Sequence, residues 1–394
     1  MPFAAALSTI PHTRQALDEV CKSLSAALPE PADLVFLFFS THHAAAAETL
    51  VQTLQKRLAP RCLLGCIGES ILGGEREIEQ QPALSLWAAK WREPVEVSPF
   101  QLGLERTSEG LSLLGWPDAL MSASAQRDAV ILLGDPFTFP VDHFLDQVND
   151  DVPGLRVVGG MASGVQAPGQ CRFLLNDTVL DQGAVGVVLQ GNVGMRSVVS
   201  QGCRPIGSTY VVTKSRDNRI LELGGRPALT VLRELWARLS PGEQEQLRQG
   251  PHVGRVINEQ QGEFAQGDFL VRNLVGLDPN TGALAITDTV RIGTTIQFHV
   301  RDAGTAGEDL RTLLQRDRAG HTTSPAAALV FSCNGRGTRL FPTPHHDAAT
   351  LRTEAGTLPV AGFFAQGELG PVGGKNFLHG YTASVVLFEE PGSP

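Results

Sequence analysis

Three stretches of this chain repeat one order of apolar and polar positions. Each opens on a run that is apolar at nearly every position: Asp33–Ser40 (DLVFLFFS), Asp128–Gly134 (DAVILLG) and Ala328–Phe331 (ALVF). Unbroken apolar runs of strand length predict strands buried on both faces. A helix is predicted after each, over Ala44–Leu58, Val141–Asn149 and Asp347–Glu354. In the first of these Ala47, Leu50, Val51, Leu54 and Leu58 fall at core spacing, and Pro60 follows. A second strand comes next and breaks into a glycine turn: Arg61–Ser70 (RCLLGCIGES), Arg156–Gly164 (RVVGGMASG) and Pro359–Phe364 (PVAGFF). A closing strand ends each stretch, at Pro82–Trp91, Gly183–Leu189 and Tyr381–Phe388. The spans from Asp33 to Gly65, Asp128 to Gly159 and Ala328 to Gly362 match closely. The pattern predicts three related copies of one unit, set apart along the chain and so not a solenoid. The fold class expected is mixed α/β.

The rest of the chain has other patterns. His12–Leu28 reads as an amphipathic helix, with Leu17, Val20, Cys21, Leu24 and Leu28 on one face and Pro29 closing it. Val198–Val212 is strand-like around a Gly-Cys-Arg turn. Arg226–Leu239 reads as a helix that Pro241-Gly242 stops. Asp268–Asp302 reads as a meander, its first turn Asp278–Gly282 having hairpin chemistry. Thr305 and Glu308 form a capping-box pattern before a helix over Ala306–Arg318. Turn residues cluster near Asn218. The expected division is an N-terminal helix within residues 1–31, one domain over 32–218 and another over 219–394.

Composition narrows the function classes. The chain has 394 residues, 42% apolar and 19% charged, which is globular rather than disordered. A net charge of -9 argues against nucleic acid and anionic membrane as default partners. The N-terminus lacks a basic, apolar leader, and no apolar run reaches membrane-spanning length. Six scattered cysteines are not a disulfide scaffold. A cytoplasmic protein with free thiols is expected.

Candidate chemistry sits where the strands end, the place where open α/β sheets bind ligands. Cys333 stands between a buried run and the turn Asn334-Gly335-Arg336-Gly337. A nearby guanidinium and turn N–H groups favour a thiolate; the other reading of Cys333 is a small core residue. Cys203 beside Arg204 repeats that grammar. Arg336 suits a carboxylate or phosphate, or else a structural ion pair with Glu368; Arg339 reads as structural. Glu368, in a Gly-Glu-Leu-Gly turn, suits a ligand ammonium or stabilises its turn. His379 and Tyr381 precede the last strand. The candidate ligand set is therefore Cys333, Asn334, Arg336, Glu368, His379, Tyr381, Cys203 and Arg204. Cys62 and Cys66 lack zinc-knuckle spacing, and the adjacent pairs His42-His43 and His345-His346 are poor metal sites. No metal, cofactor or catalytic residue is predicted. Serine-elbow, zinc-protease, phosphate-loop and kinase motifs are all missing from the sequence.

Several longer motifs carry a resemblance. They are ASG at Ala162–Gly164, VSQGCRPIG at Val199–Gly207, Gly225–Leu229, VRNLVGLDPNTGALAI at Val271–Ile286, FHVRDA at Phe298–Ala303, FSCNGRG at Phe331–Gly337 and AGFFAQGELGPVGGKNFLHGYTAS at Ala361–Ser384. In this order they resemble the FIST family, named for F-box and intracellular signal transduction proteins, from about Ala32 to Glu389. The resemblance implies an N-terminal and a C-terminal FIST part that sense small ligands, amino acids among them. No kinase, cyclase or F-box pattern accompanies them, so a stand-alone copy is expected. The functional expectation is a non-enzymatic sensor of an amino acid or other small carboxylate, with a protein signalling partner in reach. A cysteine enzyme, with Cys333 as nucleophile and His379 or His346 as base, and a protein-interaction scaffold are the alternatives.

Overall fold

The computed structural model describes residues 2–107 and 110–390. The chain forms two compact units. The first comprises residues 1–200, 310–378 and 382–394; the second comprises residues 201–309 and 379–381.

The first copy of the repeat is preceded by strand β1 (Phe3–Ser8) and helix α1 (Thr13–Ala27). It consists of β2 (Leu34–Ser40), a 3-10 turn over Thr41–Ala46, α2 (Ala47–Leu58), β3 (Leu63–Gly68), the hairpin β4 (Ser70–Gly73) and β5 (Arg76–Glu79), and β6 (Leu84–Ala89). Strands β7 (Glu96–Thr107) and β8 (Gly110–Leu114) and the turn of helix α3 (Asp118–Met121) follow. The second copy is β9 (Ala129–Gly134), α4 (Val141–Asp151), β10 (Arg156–Met161), the hairpin β11 (Phe173–Leu175) and β12 (Thr178–Leu180), and β13 (Ala184–Gln190). Strand β14 (Met195–Gln201) leads to the second unit.

The second unit contains β15 (Cys203–Arg216), β16 (Arg219–Leu223), β17 (Arg226–Pro227), α5 (Ala228–Arg238), α6 (Pro241–Gln249), β18 (His252–Val256), β19 (Phe269–Asp278), β20 (Ala283–Ile286) and β21 (Thr295–Arg301). Its strands run in the order β15-β21-β18-β19-β20-β16-β17, and β15 also pairs with β16, which closes a ring. Ile206, Val212, Leu232, Leu235 and Phe298 belong to its core. Helix α7 (Ala303–Gly320) leads back to the first unit, where the third copy is β22 (Ala327–Cys333), α8 (His346–Ala355), β23 (Val360–Ala365), the hairpin β24 (Glu368–Val372) and β25 (Lys375–His379), and β26 (Thr382–Phe388).

The three copies share their pairing. In each, the first strand lies parallel to the second and antiparallel to the closing strand. Each then lends its hairpin to another copy's sheet. β4 pairs with β23, β24 with β10, and β11 with β3, so the exchange is cyclic. The register repeats as well: Leu37 faces Gly65, Leu132 faces Gly159, and Val330 faces Gly362. On their other side these glycines face Leu174, Leu369 and Leu72.

The matched glycines lie inside strands, not in turns as their sequence context suggested. A Cβ on Gly65, Gly159 or Gly362 would stand 2.2, 1.9 or 1.9 Å from the carbonyl oxygen of its parallel neighbour. Each copy needs a residue without a side chain there, and that close backbone approach explains the shared residue. Two other expectations change. Pro241-Gly242 starts α6 instead of only ending α5, because proline fits a first helical turn and Ser240 with Glu243 closes a capping box. Helix α7 begins at Ala303 and not at Ala306, with the Thr305 N–H bonded to Asp302 Oδ1 at 2.7 Å. The strand β1 was not legible; its residues Phe3 to Ser8 pair antiparallel along β6.

Aromatic packing joins the copies. The Phe38 ring lies 5.2 Å from that of Phe363 and 6.1 Å from that of Phe331, all three fully buried. This core holds the strand ends that carry the candidate site.

Candidate functional site

Cys333 is the last residue of β22, directly before a tight turn. The Asn334 N–H bonds the Ala365 carbonyl at 2.9 Å, the Arg336 N–H bonds the Cys333 carbonyl at 2.8 Å, and the Gly335 N–H points at the Cys333 Sγ at 3.4 Å. The registers make Asp135 and Ser40 the counterparts of Cys333 in the other copies. Asp135 Oδ1 accepts the Phe137 N–H at 3.0 Å, the same two-residue reach as the sulfur makes. Ser40 Oγ accepts the Ala83 N–H at 3.0 Å. All three copies thus carry, at or just past the end of this strand, a side-chain atom that faces a backbone N–H, and only the third uses a thiol. Cys333 is half-buried, whereas the other five cysteines are buried.

Arg336 is 1% exposed. Its Nε and Nη2 donate to Asp347 Oδ2 and Oδ1 at 2.7 and 2.8 Å, a bidentate fork. The Ser332 hydroxyl adds a bond to Asp347 Oδ2 at 2.8 Å, and the guanidinium lies 5.2 Å from the centre of the Phe341 ring. Burial works against the charge on Asp347, but Arg336 and these hydrogen bonds outweigh it and hold the carboxyl well below the usual carboxylate range. Asp347 in turn raises its neighbour Glu77: burial first, then the Asp347 charge, push that carboxyl up to about 8. The fork expected to grip a ligand carboxylate is therefore engaged with a protein carboxylate at the start of α8. Only Nη1 of Arg336 is buried without a hydrogen-bond partner.

Glu368 breaks the repeat most clearly. The hairpin position it fills is taken by Ile71 in the first copy and Phe173 in the second, each one residue from the leucine that faces the matched glycine. Glu368 is 0% exposed and stands opposite Gly160, where the other registers place Cys66 and Phe363. Its Oε2 accepts the Thr382 N–H at 3.1 Å and the Thr382 hydroxyl at 2.7 Å. Burial pushes the carboxyl up to about 8, against the Thr382 bonds that favour its charged form. No N–H or O–H donates to Oε1.

Beside this cluster a cleft of about 290 Å³ opens at the strand ends. The first copy contributes Thr41, His42 and Glu69, the second Gly164 and Gln166, and the third Asn334 and Gln366. Ser163, in the Ala-Ser-Gly motif, ties the three together: its Oγ accepts the Glu69 N–H at 2.8 Å and donates to the Phe364 carbonyl. Arg339 reaches Glu69 at 3.1 Å and the Asn334 carbonyl at 3.0 Å. His42 lines this cleft, while His43 is buried and bonded to Thr13 Oγ1. His345 accepts the Glu77 N–H at 3.0 Å, and His346 stacks 3.5 Å over Phe341 with its Nδ1 at Asp347.

The other four candidates belong to the second unit. Cys203 is buried on β15, opposite Arg301 on β21. Arg204 pairs with Glu243 at 3.4 Å and Gln246 at 3.3 Å. His379 is buried, and Tyr381 holds a left-handed φ of 63°. The Tyr381 hydroxyl donates to Asn273, its ring meets His252 edge-on at 4.4 Å, and the Arg301 guanidinium lies 5.5 Å from its centre. Burial lowers both His252 and His299 to about 4. No group of three potential metal ligands occurs among the described residues. Sequence reasoning passed over Asp347, Ser163, Glu69 and Thr382. Only Ser163 carried a signal, in the Ala-Ser-Gly motif.

Residues 33–226 match the FIST N domain and residues 228–371 the FIST C domain. The chain belongs to the FIST family. It is 42% identical to the uncharacterized protein Rv0628c of Mycobacterium tuberculosis over 392 residues, 98% of this chain and 100% of the relative. It is 41% identical to the uncharacterized protein Mb0898c of Mycobacterium bovis over 389 residues, 98% and 99% of the two chains. FIST domains are associated in general with sensory roles in signal transduction and with small ligands. No helix among the described residues is long and apolar enough to cross a membrane.

Proposed function

We propose that this protein is a sensor whose ligand is a small zwitterion or carboxylate, amino acids first, held in the cleft at the strand ends. The observation that carries the reading is that cleft's lining. Three copies of one repeat each place polar groups at its wall, and Glu69 in that wall is ion-paired with Arg339, a pair that a ligand would have to open. A zwitterion matches such a pair, its carboxylate toward Arg339 and its ammonium toward Glu69. Asn334 and Gln366 supply neutral donors and acceptors that fix orientation. Arg336 is left out of this ligand set, because Asp347 occupies its fork. A thermal-shift screen of amino acids, keto acids and nucleotides tests the proposal. A ligand at a hundred times its Kd stabilises the folded state by about 2.7 kcal/mol. Amino or keto acids are expected to raise the melting temperature by several degrees. A shift with nucleotides alone overturns the assignment.

A further inference from the structure

Resting on the sensor reading above, we infer that the ligand of the strand-end cleft carries a side-chain carboxamide: the site takes asparagine or glutamine and rejects their acidic counterparts.

Strand register places the wall residues. Ser40 pairs with Gly68 at the ends of β2 and β3, and Cys333 pairs with Ala365 at the ends of β22 and β23. One residue further along, the first copy brings Thr41 and Glu69 to the cleft, and the third brings Asn334 and Gln366. The Asn334 N–H bonds the Ala365 carbonyl at 2.9 Å, which carries the parallel ladder one step on, so Asn334 and Gln366 leave their strands as neighbours. In the second copy the same two positions hold Pro136 and Ser163. The Ser163 hydroxyl is already engaged by the Glu69 N–H and the Phe364 carbonyl. Equivalent positions thus offer a hydroxyl with a carboxylate from one copy and two carboxamides from another.

Charge and hydrogen bonding then select the ligand's side chain. Both Glu69 oxygens accept from Arg339, and Oε1 also accepts Gln80 Nε2 at 3.1 Å. An amino acid that opens this pair uses it for its own ammonium and carboxylate. No lysine or arginine stands among the described lining residues, so the second carboxylate of aspartate or glutamate finds no second cation there. Val165 is the one aliphatic side chain among them, too little surface for an apolar ligand side chain. Four carboxamides line the cleft instead: Gln80, Gln166, Asn334 and Gln366. The Asn334 Oδ1 is buried and accepts no hydrogen bond. A ligand carboxylate or methyl group set against it leaves it so, the costly case for a buried acceptor. A carboxamide has two N–H donors and a carbonyl acceptor. Its N–H meets Asn334 Oδ1, and its carbonyl accepts from Gln366, the neighbouring amide. A site built on such pairing rejects an analogue without the donor more strongly than one built on apolar fit.

Calorimetric titration of the full chain with L-asparagine, L-glutamine, L-aspartate, L-glutamate and L-methionine is the test. One of the two amides is expected to bind roughly ten- to a hundredfold more tightly than its acid and than methionine. Asn334→Leu and Gln366→Leu are each expected to erase most of that preference, a change in ratio that general loosening of the fold does not produce. Should either variant fail to fold, the amide-to-acid ratio of the wild type decides. An acid that binds as tightly as its amide, binding of keto acids alone, or a preference untouched by both substitutions overturns the carboxamide assignment and leaves the sensor reading standing. Failure of every amino and keto acid to bind overturns both.

Discussion

Glu368 stands directly opposite Gly160 in the pairing of β24 with β10. In the two equivalent pairings an apolar hairpin residue faces Cys66 or Phe363. The third copy therefore exchanges apolar contact for a buried carboxyl beside a residue that adds no bulk. That single departure locates the chemically distinct corner of the repeat.

Protonation of Glu368 should be visible in stability. Its folded pKa, about 8, lies above the ordinary value of 4.5, so the folded state binds the proton more tightly than the unfolded state. Stability contributed this way is lost as pH rises through about 8. The slope per group reaches at most about 1.4 kcal/mol per pH unit. Glu77, also raised to about 8, acts in the same direction. The buried histidines His43, His252 and His299, lowered to about 4, act with the opposite sign below 6.5 and leave the window from 6.5 to 8 clear. Thermal unfolding across that window should fall with pH in the wild type and less steeply in Glu368→Gln. Equal slopes would contradict the assignment.

The Arg336–Asp347 fork should be a strong point of the first unit. Asp347→Ala strands a buried guanidinium and should cost about 3–5 kcal/mol. Arg336→Met with Asp347→Leu removes both charges and should recover much of that loss. Melting temperatures of the single and double variants decide. A single variant as stable as wild type would mean that the buried pair is not formed in solution.

The in-strand glycines predict a sharp contrast. Gly362→Ala would set a Cβ 1.9 Å from the Val330 carbonyl oxygen, a backbone clash that no rotamer relieves. The cost should reach about 3 kcal/mol or more. Gly374→Ala meets nothing within 4 Å and bears only its φ of 80°, about 1–2 kcal/mol. Limited proteolysis of the two variants should open the first unit in Gly362→Ala alone.

Much of this architecture was legible in the chain. The runs at Asp33–Ser40, Asp128–Gly134 and Ala328–Phe331 reveal their strands because burial on both faces leaves no polar position to confuse the period. The glycines at 65, 159 and 362 marked the repeat for a sound reason, although the reason is close strand approach rather than a turn. The hairpin exchange was not legible. It depends on pairings between residues as distant as Leu72 and Gly362, and alternation along a strand carries no record of its partner. Asp347 was missed because an acidic residue in a first helical turn ordinarily faces water and the helix dipole. Nothing local announces that it turns inward to Arg336. Glu368 was singled out, but its burial follows from a contact with Thr382 that only the folded chain makes.

Thiol reactivity follows burial. Burial pushes Cys62 up to about 12 and Cys66 well above the usual range. Cys333 alone is half-buried. Competitive alkylation at neutral pH should label Cys333 first of the six. Faster labelling of Cys21 or Cys203 would place the Cys333 turn in the inert class.

The cleft at the strand ends is the centre of the functional reading, and calorimetric titration with the best-stabilising amino or keto acid tests it most directly. The expected result is one site per chain, weakened about tenfold or more by Asn334→Ala and by Arg339→Lys, which keeps the charge but loses the planar fork. Cys203→Ala, in the second unit, should leave the affinity unchanged. Binding that survives both cleft substitutions, yet is lost in Cys203→Ala, would contradict the assignment.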